Sequence, residues 1–215
     1  FNLNEITTDH AVVGWGDPGL PDLHGMYWSS SNDFTEAMYY RLAQAVSFSN
    51  SFIKNASELS GDEVSVFVAE ARFLRAYAYY NLLDLYGNVP LTTEISTELP
   101  TQSNRTELFN FIEAELMEIE SILLASNEYG RVDNVAAHAL LSRLYLNAEA
   151  WTGQDRYADC VTYSQNVINS GYSLNMNDAN GNGTAYDELF MADNDVNGAQ
   201  NEFIFTLNFD GMQSQ

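Results

Sequence analysis

The segment Glu70 to Leu91, EARFLRAYAYYNLLDLYGNVPL, constrains the fold more than any other part of the chain. Ala71, Leu74, Ala78, Leu82 and Leu85 recur at steps of three and four, and Val64, Phe67 and Val68 extend the row upstream. That period predicts an amphipathic helix of about six turns. Its end is equally legible. Gly87 can adopt the left-handed conformation that closes a helix, and Pro90 prevents resumption. Tyr77, Tyr79, Tyr80 and Tyr86 are distributed round the cylinder, so more than one face of it meets other parts of the protein.

Similar signals place the neighbours. Met38, Leu42, Ala45, Phe48, Phe52 and Ile53 mark a helix over 34–55, and Ser60-Gly-Asp-Glu63 has the capping-box spacing that would open the central helix. Asn104 precedes a helix expected to reach Leu124, with Leu108, Ile112, Leu116, Ile119 and Leu123 as its stripe. Asp133 caps the next, where Ala136, Leu140 and Leu144 form one row and Ala137, Leu141 and Tyr145 the adjacent one. Thr152 to Asp155 breaks that helix and caps a last one, ending near Ser170 and Gly171.

Five helices joined by short turns thus fill 34–170. The expected fold is mainly α, built of helical hairpins that pack closely through Ala71, Ala76, Ala78, Ala136, Ala137 and Ala139. The strict 34-residue period of tetratricopeptide repeats is absent, so any repeat is degenerate. Residues 1–34 carry no regular period and read as a long surface loop, the kind of segment that carries function. Thr92, Thr93 and Ile95 can form a short extended piece. Beyond Tyr172 the chain turns rich in Asn, Asp and Gly, and Glu202 to Phe209 reads as a strand.

Charge narrows the function. Thirty acidic residues face eight basic ones, a formal charge of −22, and every basic residue except Lys54 is an arginine. Such a surface repels phosphate backbones and anionic lipid, which argues against nucleic-acid binding. A hydrophobic content of 46% over 215 residues excludes disorder and supports a substantial core, as one large domain or two small ones. Cys160, the single cysteine, sits mid-helix among apolar residues and reads as a small buried hydrophobe. No signal peptide or transmembrane run is read along these residues, and with a start on Phe1 the chain is expected to be an excerpt of a longer protein.

Catalytic and cofactor motifs are missing: no nucleophile elbow, phosphate loop, dinucleotide fingerprint or zinc spacing occurs. His10, His24 and His138 do not cluster in sequence. Glu113, Glu115, Glu118 and Glu120 fall mainly off the apolar stripe and read as a solvated helix face rather than acid/base carboxylates. Asp178 to Gly183 resembles the start of a calcium loop, but position twelve is Leu189, with Glu188 one place short, so an Asn/Gly turn is expected. No catalytic residue, metal or cofactor is therefore expected.

One cluster stands apart. Trp15 is flanked by Gly14 and Gly16, with no apolar neighbour in sequence to bury it. An exposed indole can stack against the C–H face of a pyranose, and Asp17 can accept bonds from sugar hydroxyls. Trp15 could equally fold back to anchor its own loop. Trp28, before the Ser29 to Asp33 run, reads as a packing anchor or staple, and Trp151 as core.

Several blocks, in order, resemble the SusD/RagB family: Phe1 to Glu5 (FNLNE), Glu70 to Ala76 (EARFLRA), Asp84 to Gly87 (DLYG), Gly130 to Asp133 (GRVD), Arg143 to Ala148 (RLYLNA) and Glu188 to Asn194 (ELFMADN). They run through nearly the whole chain, and the starch-binding branch is the most similar. The resemblance implies a tetratricopeptide-like helical half packed on an irregular half, no catalysis, and surface display on the outer membrane. It also implies an N-terminal lipid anchor, outside this excerpt, and a partner: a TonB-dependent SusC-type importer. In that branch the loop matching Val12 to Gly19 carries a tryptophan pair that cups glucan. Trp15 matches the second of the pair, whereas Val13 stands at the first, and Asp17-Pro18 replaces a sugar-bonding asparagine.

The expected function is non-catalytic binding of an oligosaccharide or polysaccharide, preferably a starch-type α-glucan, at Trp15 and Asp17. A β-glucan is the alternative, and a helical-repeat adaptor for a protein partner the second alternative. The adaptor would need exposed aromatics on the helices rather than on the 1–34 loop. A glycoside hydrolase would need paired carboxylates across a cleft.

Overall fold

A computed structural model describes residues 2–209. Phe1, part of the first family block, and the end of the chain after Phe209 lie outside the described residues. Eight helices dominate: α1 (Asn2–Glu5), α2 (Leu20–His24), α3 (Asp33–Ala56), α4 (Asp62–Tyr86), α5 (Arg105–Ile119), α6 (Asn134–Leu146), α7 (Ala148–Thr152) and α8 (Tyr157–Ile168). The fold is mainly α. Among the described residues the sheet is a two-stranded antiparallel clip, β1 (Val89–Pro90) against β2 (Gln102–Ser103). None of these helices is long and apolar enough to cross a membrane.

α4 is the axis of the bundle. It packs against α3 on one side and α5 on the other, while α6 packs against α8 and α5. Phe73, Ala76, Tyr79, Leu82 and Leu83 of α4 meet Leu108, Ile112, Leu116 and Ile119 of α5 in one core, completed by Leu140, Leu141 and Leu144 of α6. Each of the fully buried leucines and isoleucines contributes about 1.5–3 kcal/mol. Gly87 ends α4 as expected, but at φ 75° and ψ −97° rather than in the left-handed helical conformation, and its N–H donates to the Leu83 carbonyl. A Cβ there would stand 2.7 Å from Arg105 Nε. The chain then crosses to α5 through a connector held by Tyr79, whose hydroxyl donates to the Thr92 carbonyl (3.0 Å) and accepts from the Thr92 N–H (2.8 Å).

The starts of α3, α5 and α6 follow capping chemistry. Asn32, Asn104 and Asp133 each accept from a first-turn N–H, and Asn104 with Glu107 forms a reciprocal box. α4 differs from expectation. Its N-cap is Gly61 (φ 136°), no side chain caps it, and Ser60 lies one residue outside the helix. The glycine takes a backbone angle closed to other residues, so the Ser60–Glu63 box never assembles.

Other boundaries also moved. α5 stops at Ile119, not Leu124, because the Ile122 and Leu123 N–H groups turn back to the Ile119 carbonyl; Leu123 is still buried, so the apolar stripe outlasts the helix. The single helix expected after Asp133 is two, broken at Asn147, whose side chain takes the Arg143 carbonyl. α8 begins after Arg156 without a side-chain cap from Asp155 and ends at Ile168, short of Gly171. Thr92 to Ile95 is not extended strand, the pairing falling instead at Val89–Pro90. Glu202 to Phe209 forms no strand among the described residues. Its apolar residues pack instead: Phe205 lies edge-on to Phe73 (5.2 Å between centroids) and Tyr77 (5.8 Å).

The glutamates of α5 are not a solvated face. Glu115 is buried between two arginines of α4, with Arg72 Nη2 at 2.6 Å and Arg75 Nη2 at 2.5 Å. Arg75 also donates to Asn50 of α3 (2.8 Å), so one carboxylate ties three helices together. Glu113 accepts from Tyr145 and Arg156, and Glu120 from Tyr163. Glu118, an exposed residue, alone fits the expected solvated face, though it also takes a bond from Arg72. Spacing within one helix could not reveal partners supplied by others.

Candidate functional site

Residues 1–34 are less irregular than expected. α1 and α2 fold here around a small core of Ile6, Leu20 and Leu23, with Leu3, Val13 and Phe34 packed on it, separate from the bundle core. Val13 is thereby turned inward. Gly19 opens α2 with φ 89°, and Pro21 sits in its first turn. A Cβ on Gly19 would stand 2.8 Å from Asn32 Nδ2, the atom that donates to the Gly19 carbonyl. Asn32 is itself buried and caps α3 through its Oδ1. The loop is thus fastened at both of its apolar roots.

On this base the loop presents its aromatic residues outward. Trp15 is 71% exposed, and space beside both flanking glycines is open. An indole held this way offers a flat apolar plane to solvent. Asp17 is exposed too, with its carbonyl accepting from the Leu20 N–H, so its carboxylate can accept further bonds. Met26 sits at φ 56° and, with Tyr27 and Trp28, is also exposed. Tyr27 lies over Gly25, where a side chain would collide with its ring.

Two of the grooves along α3 are rich in aromatic residues. The larger, about 1140 Å³, runs between α3 and α4 past Phe48, Phe52, Phe67, Leu74 and Tyr77, with Arg41, Arg131 and Arg143 at its edges. The smaller, about 630 Å³, is walled by Trp28, Tyr39, Tyr40 and Tyr86. Trp15 lines neither. Trp28, expected to be a staple, is 44% exposed and forms groove wall instead. Tyr39 and Tyr40 lie outside the helical stripe Met38, Leu42, Ala45, and aromatics off the stripe beside a serine run were the signal for this wall. Trp151 packs edge-on against Tyr80, as expected of a core residue. Exposed aromatics therefore occur both on the loop and on the helices.

The Asp178 loop is an Asx-type turn. The Asp178 carboxylate accepts from the N–H groups of Asn182 and Gly183, and buried Glu188 accepts from the Asn180 N–H and Asn197 Nδ2. His138 pairs with Glu120 (3.6 Å), and Cys160 lies against Ser142 inside the α6–α8 contact.

A SusD-like family, described as starch-binding and associating with the outer membrane, matches residues 22–146. The starch-binding protein SusD of Bacteroides thetaiotaomicron is 38% identical over 219 aligned residues, which take in 100% of this chain and 38% of that protein. The chain thus spans well under half the length of that relative. A SusD-like protein of Bacteroides fragilis has a TM-score of 0.72 at 25% identity, covering 88% of this chain and 36% of its own. A structure solved with a xylogluco-oligosaccharide reaches 0.77 over 95% of this chain and 42% of its own, at 22% identity, a likeness of fold. These matches agree: the chain belongs to the SusD-like family, described as starch-binding and associating with the outer membrane.

Proposed function

We propose that this chain binds neutral glycan without cleaving it, with Trp15 as the stacking platform and Asp17 as an acceptor for sugar hydroxyls. The observation that carries the reading is the 71% exposure of an indole whose loop is fixed at Val13, Leu20 and Asn32. A ring already held outward loses little freedom when a pyranose stacks on it. Identity of 38% to a starch-binding protein supports a starch-type α-glucan as ligand. The whole protein would sit at the outer membrane through a lipid anchor and pass its ligand to a TonB-dependent SusC-like importer. Isothermal titration against α- and β-glucan oligosaccharides tests the reading: heat with maltoheptaose, and affinity about tenfold weaker or more after Trp15→Ala, is expected, and silence with every glycan overturns it. Heat with β-glucans alone would transfer the reading to the alternative ligand.

A second reading has one observation in its favour. Phe48 (65% exposed), Phe52 and Phe67 open onto the α3–α4 groove, as a helical adaptor for a polypeptide would require.

A further inference from the structure

We propose a second saccharide seat, separate from Trp15, in the groove where the α2–α3 turn meets α3 and the end of α4. The inference rests on the reading of the chain as a glycan binder. Its volume, about 630 Å³, lies within the range of small-molecule clefts. Two of its walls are aromatic planes open to solvent, Trp28 at 44% and Tyr40 at 62% exposure. Behind them Tyr39 meets Tyr40 edge-on at 6.1 Å and Tyr86 at 5.3 Å, and the Tyr86 hydroxyl donates to the Thr35 carbonyl at 2.7 Å. The aromatic wall is consequently braced before any ligand arrives.

The polar groups define the ligand. Ser29, Ser30 and Ser31 line the same groove with hydroxyls that can donate or accept, and its one charged liner is Glu36. With a carboxylate and no cation in the wall, phosphates, sulfates and uronates are repelled. A neutral polyol gains instead, because its hydroxyls donate to the carboxylate while its C–H faces rest on the rings. Asn32 links this seat to the first. It caps the helix that bears Glu36, Tyr39 and Tyr40, and it holds the carbonyl of Gly19 at the root of the Trp15 loop.

Tryptophan emission tests the seat directly in the whole chain. With Trp15→Phe and Trp151→Phe combined, only Trp28 reports. Titration with maltoheptaose or a xyloglucan heptasaccharide should shift and saturate its emission, and adding Tyr40→Ala should weaken binding about tenfold, the order of one lost ring contact. An oligoglucuronide should give no shift until Glu36→Gln is introduced. If calorimetry of the wild type registers glycan while Trp28 emission stays flat and Trp28→Ala binds as the wild type does, the seat is wrong and the binding reading stands. If the wild type gives no heat with any glycan, the binding reading fails and the seat with it.

Discussion

Asn32 Nδ2 donates to the Gly19 carbonyl at 2.9 Å, joining the residue that caps α3 to the residue that opens α2. The amide works at both ends, since its Oδ1 also accepts from the Phe34 and Thr35 N–H groups. Asn32→Ala should therefore lose a cap and a tertiary bond together, about 2 kcal/mol, or a fall in melting temperature of roughly 4–8 °C. Asn32→Asp keeps the cap but not the donor, and should fall between. Equal melting of all three proteins would refute the dual role. Gly19→Ala should lose about 1–3 kcal/mol through backbone strain and the collision with Asn32.

Ser60 and Asn104 form a contrasting pair. Asn104→Ala should cost about 1 kcal/mol, whereas Ser60→Ala should leave unfolding within about 0.5 kcal/mol of the wild type, because Gly61 and not Ser60 stands at the start of α4. Urea titration of the two variants separates them.

Glu115 carries the heaviest penalty. Glu115→Ala leaves Arg75 buried beside no carboxylate, and should cost about 3–5 kcal/mol in urea unfolding. Pairing Glu115→Leu with Arg75→Met should recover most of that loss, since the buried charge and its partner leave together. A double variant no better than the single one would point to packing rather than charge.

Trp15 should behave in the opposite way. Its exposure predicts that Trp15→Ala leaves the melting temperature nearly unchanged while glycan affinity falls about tenfold or more. Loss of stability in that variant would mean that the indole anchors its loop.

Alkaline pH should loosen the bundle through its phenols. Burial lifts Tyr86 to about 12, and burial with a neighbouring carboxylate also raises Tyr145 and Tyr172. In the unfolded chain these groups ionise near pH 10. Their contribution is thus fully present below about pH 10 and lost as pH rises through the folded values, because the unfolded chain gives up its protons first. Urea midpoints should hold level up to about pH 10 and drop by about pH 12. Stability unchanged across that window, followed beside tyrosinate absorbance, would contradict the assignment.

Much of the helical half was legible because its signals are local. The stripe of α3, the Gly87 stop and the Asn104 and Asp133 caps each depend on residues within one or two turns. What escaped depends on distant partners. Glu115 faces arginines about forty positions earlier, and Phe205 fills a gap against Phe73, so no window along the chain could show either. Trp15 stands out in sequence by its flanking glycines and by its match to the tryptophan pair of the SusD/RagB starch-binding branch, while its exposure appears only in the structure. Trp28 forms groove wall because the groove is completed by Tyr39 and Tyr40 of α3 and Tyr86 at the end of α4.

The loop region has a miniature core of its own, Ile6, Leu20 and Leu23, that shares no buried residue with the bundle. Substitutions at its tip can accumulate without disturbing how the large helices pair. Relatives can accordingly vary that tip while inheriting the same framework.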